Sequence, residues 1–122
     1  MLPPFTVLVF GTMAPHLTLT QYKNHYDNIH VPLVRNLTGE NFPLLHTRYY
    51  VGGTPAFVNA SAKVDWDSMA VMSFRDQAQA VGFLGVLGRE EVNEVVRRDE
   101  EEFMAGEPRT VVVGMDVAVT VS

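Results

Sequence analysis

Four histidines, His16, His25, His30 and His46, are the first candidates for chemistry in this sequence, because imidazole exchanges protons near neutral pH. His30 stands four residues after Tyr26, and Tyr26 four after Tyr22, so a helix would carry all three on the side it packs against. There His30 and Tyr26 could serve as a proton donor and an orienting phenol at a cavity wall. The other reading is a core histidine bonded to a backbone carbonyl beside Pro32, since buried polar groups are hydrogen-bonded. His46, Arg48 and Tyr50 alternate along an extended stretch and share one face, giving a proton donor, a cation and a phenol in a row. Such a row suits a carboxylate or an enolate. It equally suits a polar strip at an edge or dimer contact, because one sequence does not fix which face of a strand turns inward. His25 and His30, five residues apart, lie about 140° from one another on a regular helix, so they are not expected to converge or to form a metal pair. His16 falls in a loop and reads as exposed.

Other chemistries find no support. No serine sits in a nucleophile elbow and no glycine pattern follows a strand as a nucleotide-binding turn; Gly82, Gly85 and Gly88 fall within or at the end of a helix, where they suit close packing or a widened pocket. The acidic run Asp99 to Glu102 reads as a solvated helix face. Trp66, between Asp65 and Asp67, anchors the end of a loop or stacks on a substrate. The net charge of -5, with no block of lysines or arginines, argues against a nucleic-acid partner. Without cysteine there is no disulfide. Phe5 to Phe10 is too short for a membrane span and lacks a basic segment before it, so no membrane partner and a cytoplasmic location are expected.

The elements that must position these groups follow from periodicity. Phe5 to Phe10 is a valine-rich first strand ending at Gly11. Thr18 or Thr20 caps a helix with Leu19, Tyr22, Tyr26 and Ile29 on one side, and Pro32 forces a kink or restart near His30 before the chain stops at Gly39. Leu45 to Val51 is a second strand and Met69 to Phe74 a third. Gly52 to Asp65 is a lid or a disordered loop. Two helical pieces follow, Gln77 to about Leu87 and Glu90 to Met104, interrupted at Gly88. Thr110 to Val121 is a long last strand. The order βαββαβ predicts a single α+β domain over residues 1–122, ferredoxin-like, with helices on one face of an antiparallel sheet.

In such a sandwich the uncovered face should turn polar. Here it does not: the first strand is apolar on both sides, and the third sets Met69, Val71 and Ser73 against Ala70, Met72 and Phe74. A second copy of the chain is the expected cover, making a homodimer.

Leu19 to Leu33, reading LTQYKNHYDNIHVPL, resembles the first-helix signature of the EthD family, a branch of the dimeric α+β barrel superfamily. Arg98 to Phe103 resembles its second signature, and Phe42 to Tyr50 is similar to the second strand of fungal EthD proteins that tailor aromatic polyketides. The resemblance implies a dimeric barrel and a lyase that needs no cofactor; no histidine, carboxylate or cysteine spacing in the sequence resembles a metal site, so no metal is expected. The expected substrate of the lyase is a small aromatic polyketide, from which it removes carbon dioxide. His30 and His46 would then donate protons, Tyr26 and Tyr50 orient the substrate, and Arg48 anchor its carboxylate. Tyr22, Phe10, Met72, Phe83 and Trp66, with Phe5, would make an apolar slot. A dehydratase or aldol-type cyclase would use the same groups, and a non-catalytic ligand-binding or assembly dimer would use its histidines structurally.

Overall fold

Strand β1 (Phe5–Gly11) takes a central place in the sheet because valine and phenylalanine fill both of its faces. The computed structural model describes residues 5–51 and 64–122. Around β1 stand β2 (Leu45–Tyr50), β3 (Ser68–Phe74) and β4 (Arg109–Gly114), in the order β2-β3-β1-β4 with every pairing antiparallel. Helices α1 (Leu19–His25), α2 (Val31–Thr38), α3 (Gln77–Leu87) and α4 (Glu90–Phe103) complete the α+β sandwich. Most of the expected Gly52 to Asp65 loop, residues 52–63, lies outside the described residues.

Register sorts the two faces of the sheet. His46, Met72 and Val7 lie in one row, and Arg48, Ala70, Val9 and Thr110 in the next. These rows face the helices, where Val7, Met72, Phe74, Ala80, Phe83 and Val96 form the aliphatic core. A second, aromatic core holds Tyr22, Tyr26, Phe103 and Met104. The opposite face shows Thr47, Val71, Leu8 and Val111 in one row, and Tyr49, Met69 and Phe10 in another that ends on Arg109. Among the described residues this face carries no helix, and it stays apolar, as the alternation predicts.

Thr18 caps α1, accepting from the Gln21 amide while the Gln21 side chain accepts from the Thr18 amide. The kink expected near His30 takes a specific form: Tyr26–His30 is a single π-helical turn, with the Val31 amide bonded to the Tyr26 carbonyl. Pro32 supplies no amide for the carbonyl four residues back, and the helix adjusts by slipping one residue before restarting as α2. The slip corrects the place of Ile29, expected on the packed side, while His30 stays on the side where its spacing from Tyr26 put it. Ile29 is turned out, 49% exposed, and His30 is turned in, 7% exposed. Gly39, at a φ of 56°, ends α2.

The last strand is shorter than expected. It ends at Gly114 rather than Val121, because Gly114 turns the backbone at a φ of 76° and pairs with Thr6, almost the last residue β1 can offer. Val117, Val119 and Val121 consequently remain exposed. Gly82 permits a close approach, since a methyl there would lie 2.9 Å from Asn41 Oδ1; beside Gly85 there is open space. Among the described residues no helix is long and apolar enough to cross a membrane.

Candidate functional site

A half-open cavity of about 110 Å³ lies between the sheet and the helices, where the two cores meet. Its walls are apolar, from Val9, Val34, Met72, Phe83, Leu87 and Val96, and the polar side chains among its lining are Tyr26, His30, His46, Glu100 and Thr110. Each arrives by its own local cause. The four-residue spacing from Tyr26 keeps His30 inward at the end of the π-turn, the alternation of β2 brings His46 to the helical face, and Glu100 falls on the buried side of α4 because it is four residues from Val96 and three from Phe103. Thr110, on edge strand β4, is exposed and marks the mouth with Pro108.

His46 is fixed by its neighbours. The Arg48 guanidinium donates to its Nδ1 at 2.9 Å, so the network assigns the ring proton to Nε2. Burial, then the positive charge of Arg48, pushes the imidazole down to about 4. His46 is therefore a neutral hydrogen-bond donor at physiological pH. Its ring stacks on Phe42 at 5.9 Å between centroids.

His30 donates from Nδ1 to Asp99 Oδ2 at 2.8 Å, and His25 donates from Nε2 to Asp99 Oδ1 at 2.9 Å. The expectation that these histidines cannot converge is overturned. The wider π-turn brings residues five apart onto one side, and Phe103 packs against both rings at 5.0 and 4.5 Å. Burial holds His30 below an ordinary imidazole, against the opposing pull of Asp99.

Glu100 is the group the sequence reading missed. Assigned to a solvated run, it lines the cavity, where burial and then the charges of Glu107 and Asp99 push its carboxyl up to about 7. The signal lay in the helical spacing of Val96, Asp99, Glu100 and Phe103, which puts the two acids on the buried side while Glu101 and Glu102 face water.

Of the other expected site residues, Met72 and Phe83 line the cavity and Tyr26 forms part of its wall, kept a neutral phenol by burial. Tyr50 and Arg48 face the same side but are engaged: both donate to Asp27 Oδ1, at 2.6 and 2.8 Å. Tyr22 is fully buried against Ser68, hydroxyl to hydroxyl at 2.7 Å, and does not reach the cavity. Phe10 and Trp66 pack together at 5.2 Å on the uncovered face, because Phe10 neighbours Val9 and so points the other way. Phe5 packs on the aliphatic core without lining the cavity. Among the described residues no group of three or more His, Cys, Asp or Glu side chains is arranged to hold a metal ion.

The arrangement combines a histidine able to accept a proton, a carboxyl able to donate one near neutral pH, and a neutral imidazole able to hold a developing oxyanion. Comparison with known proteins adds a family. A family model described as the EthD domain matches residues 14–107. A solved structure of an ethyl tert-butyl ether D (EthD) family protein from Bacillus halodurans C-125 superposes with a TM-score of 0.56 at 16% identity, covering 88% of this chain and 95% of that one. No curated protein matches the chain.

Proposed function

Since this chain belongs to the EthD domain family, we propose that it is a proton-transfer enzyme that dehydrates or closes a ring in an aromatic keto compound of the polyketide kind. The observation that carries this reading is the pairing, in one apolar cavity, of a depressed histidine with a raised glutamic acid. Groups whose environments push their pKa values apart divide the roles of base and acid. His30 takes an α-proton beside a carbonyl. The His46 Nε2–H holds the enolate oxygen, and Glu100 protonates the departing hydroxyl, which leaves as water. The likeness of Phe42 to Tyr50 to fungal polyketide-tailoring relatives supports the substrate class.

Size supports a partial fit. A space of about 110 Å³ is smaller than the engineered cavity of about 150 Å³ that holds benzene, so this half-open cavity admits the edge of the reacting ring and leaves the rest of a fused system at the mouth by Pro108 and Thr110. Decarboxylation is the second reading. It needs a seat for a carboxylate, and Arg48, beside His46, would supply one on release from Asp27. Incubation with a panel of aryl keto acids and their hydroxylated precursors, followed by mass analysis, separates the two. Loss of water supports the first reading, loss of carbon dioxide the second, and no conversion of any compound defeats both.

We further propose that two copies pair through the uncovered sheet face, where Leu8, Phe10, Met69 and Val71 form its centre.

A further inference from the structure

We propose that Asp99 is a positioning residue shared by two histidines, holding His30 with its proton on Nδ1 and its lone pair on Nε2, while His25 on the other oxygen limits how strongly Asp99 can do so. The inference rests on the reading of His30 as the base of the cavity.

A carboxylate can only accept. Both contacts to Asp99 are short and use different oxygens, Oδ2 for His30 Nδ1 and Oδ1 for His25 Nε2. His30 must therefore present Nδ1–H to Asp99, and the neutral ring carries its free lone pair on Nε2. When Nε2 takes the substrate proton the ring becomes an imidazolium. The Nδ1 proton stays in place, Asp99 stabilises the new charge without being protonated, and at the end of turnover Nε2 gives up its proton to solvent while Glu100 regains from solvent the one it lost with the leaving water. Nothing is consumed.

Geometry keeps the bridge in register. Phe103, one helical turn after Asp99, is fully buried and stacks on His25 at 4.5 Å, with interplanar angle 23°, while also touching His30. The π-turn is what lets two histidines five apart meet one carboxylate; a regular helix would leave one of them behind. His25 is the outer arm, its side chain 20% exposed against 9% for His30. It withdraws hydrogen-bonding capacity from Asp99 and places a second imidazole near the first, so it works against protonation of His30. The groups facing His30 are thus Asp99 and Glu100 from α4, His25 and Tyr26 from its own helix, and His46 from β2, behind which stands Arg48.

Histidine-selective ¹⁵N NMR on the whole chain tests this without a substrate. His30 is expected as the Nδ1–H form. In Asp99→Asn its titration midpoint should fall by about 1–3 pH units, as on loss of a close opposite charge. In His25→Phe, which keeps the stacking on Phe103, it should rise. Shifts of opposite sign are not a signature of structural damage. An Nε2–H form in the parent chain, or midpoints that move together or not at all, would overturn the proposal. If Asp99→Asn does not fold, the parent tautomer and His25→Phe still decide it. Turnover by His30→Asn tests the parent reading separately: lost turnover beside an Nε2–H parent ring removes Asp99 from its role and leaves His30 in place.

Discussion

The Tyr50 hydroxyl donates to Asp27 Oδ1 at 2.6 Å, and the same oxygen takes Arg48 Nε at 2.8 Å. Two side chains delivered by β2 are thereby tied to one carboxylate from the π-turn, and the strand is locked to the helix beside the cavity. Burial opposes charge on Asp27, but the two hydrogen bonds and the attraction of Arg48 outweigh it, so its carboxyl titrates below the ordinary 3.8. Burial and Asp27 together push the Tyr50 phenol far up, which leaves it a hydrogen-bond donor and no base.

Asp27→Asn should therefore destabilise the fold at neutral pH by about 1–3 kcal/mol, the usual cost of breaking a partly buried charged hydrogen-bond set. A carboxyl with a depressed folded pKa contributes stability above its unfolded value, and that stability is lost as pH falls through the folded value. The gap between parent and variant should thus close below about pH 3.8. Urea unfolding at neutral and acid pH measures it; a gap of equal size at both would remove the charge from the account.

His46 and Glu100 should tilt stability in opposite directions over nearly the same pH range. The folded chain holds His46 at about 4 against an ordinary 6.5, so the unfolded chain binds the proton first and stability falls as pH drops from 6.5 to 4. Glu100, at about 7 against an ordinary 4.5, behaves inversely: its stability is complete below 4.5 and lost as pH rises through 7. Glu100→Gln should raise stability by about 1–3 kcal/mol at pH 8 and change little near pH 4. His46→Gln should flatten the acid limb. Thermal melts across pH decide, and a Glu100→Gln gain that is independent of pH would contradict the assignment.

These two groups also show how far the sequence could be read. Alternation in β2 put His46, Arg48 and Tyr50 on one face, and the structure keeps them there; that Asp27 would stand over two of them depends on a tertiary contact which no period encodes. Leu19, Tyr22, Tyr26 and Ile29 follow a regular helical spacing straight through the π-turn, so Pro32 announced a break without its direction. Asp99 and Glu100 were legible but were masked by two further acids in the same run. Gly114 was legible as a glycine, whereas the end of β4 was set by where β1 runs out of residues to pair.

Gly11 is a position where a single methyl should matter. A Cβ there would lie 2.6 Å from the Tyr22 hydroxyl, 3.0 Å from Ser68 Oγ and 3.1 Å from Met104 Cε. Tyr22 and Ser68 are fully buried and bonded to one another, so neither can move without breaking that bond. Gly11→Ala should cost about 1–3 kcal/mol through overpacking. Chemical unfolding measures it, and a variant as stable as the parent would show that the aromatic core yields more readily than its packing implies.

The uncovered sheet face offers the last test. Val71 lies at its centre, between Thr47 on β2 and Leu8 on β1, with Val111 beyond. Glutamate at that position would place a charge in the middle of a contact between two such faces, where it must be desolvated without a partner. Val71→Glu should convert a dimer to a monomer by light scattering, while its circular dichroism keeps the parent form because the side chain points away from both cores. Val81→Glu, on the exposed side of α3 and 60% exposed already, is the control that should leave the mass unchanged. A parent chain that runs as a monomer, or a Val71→Glu chain that remains a dimer, would show that this face is not where copies meet.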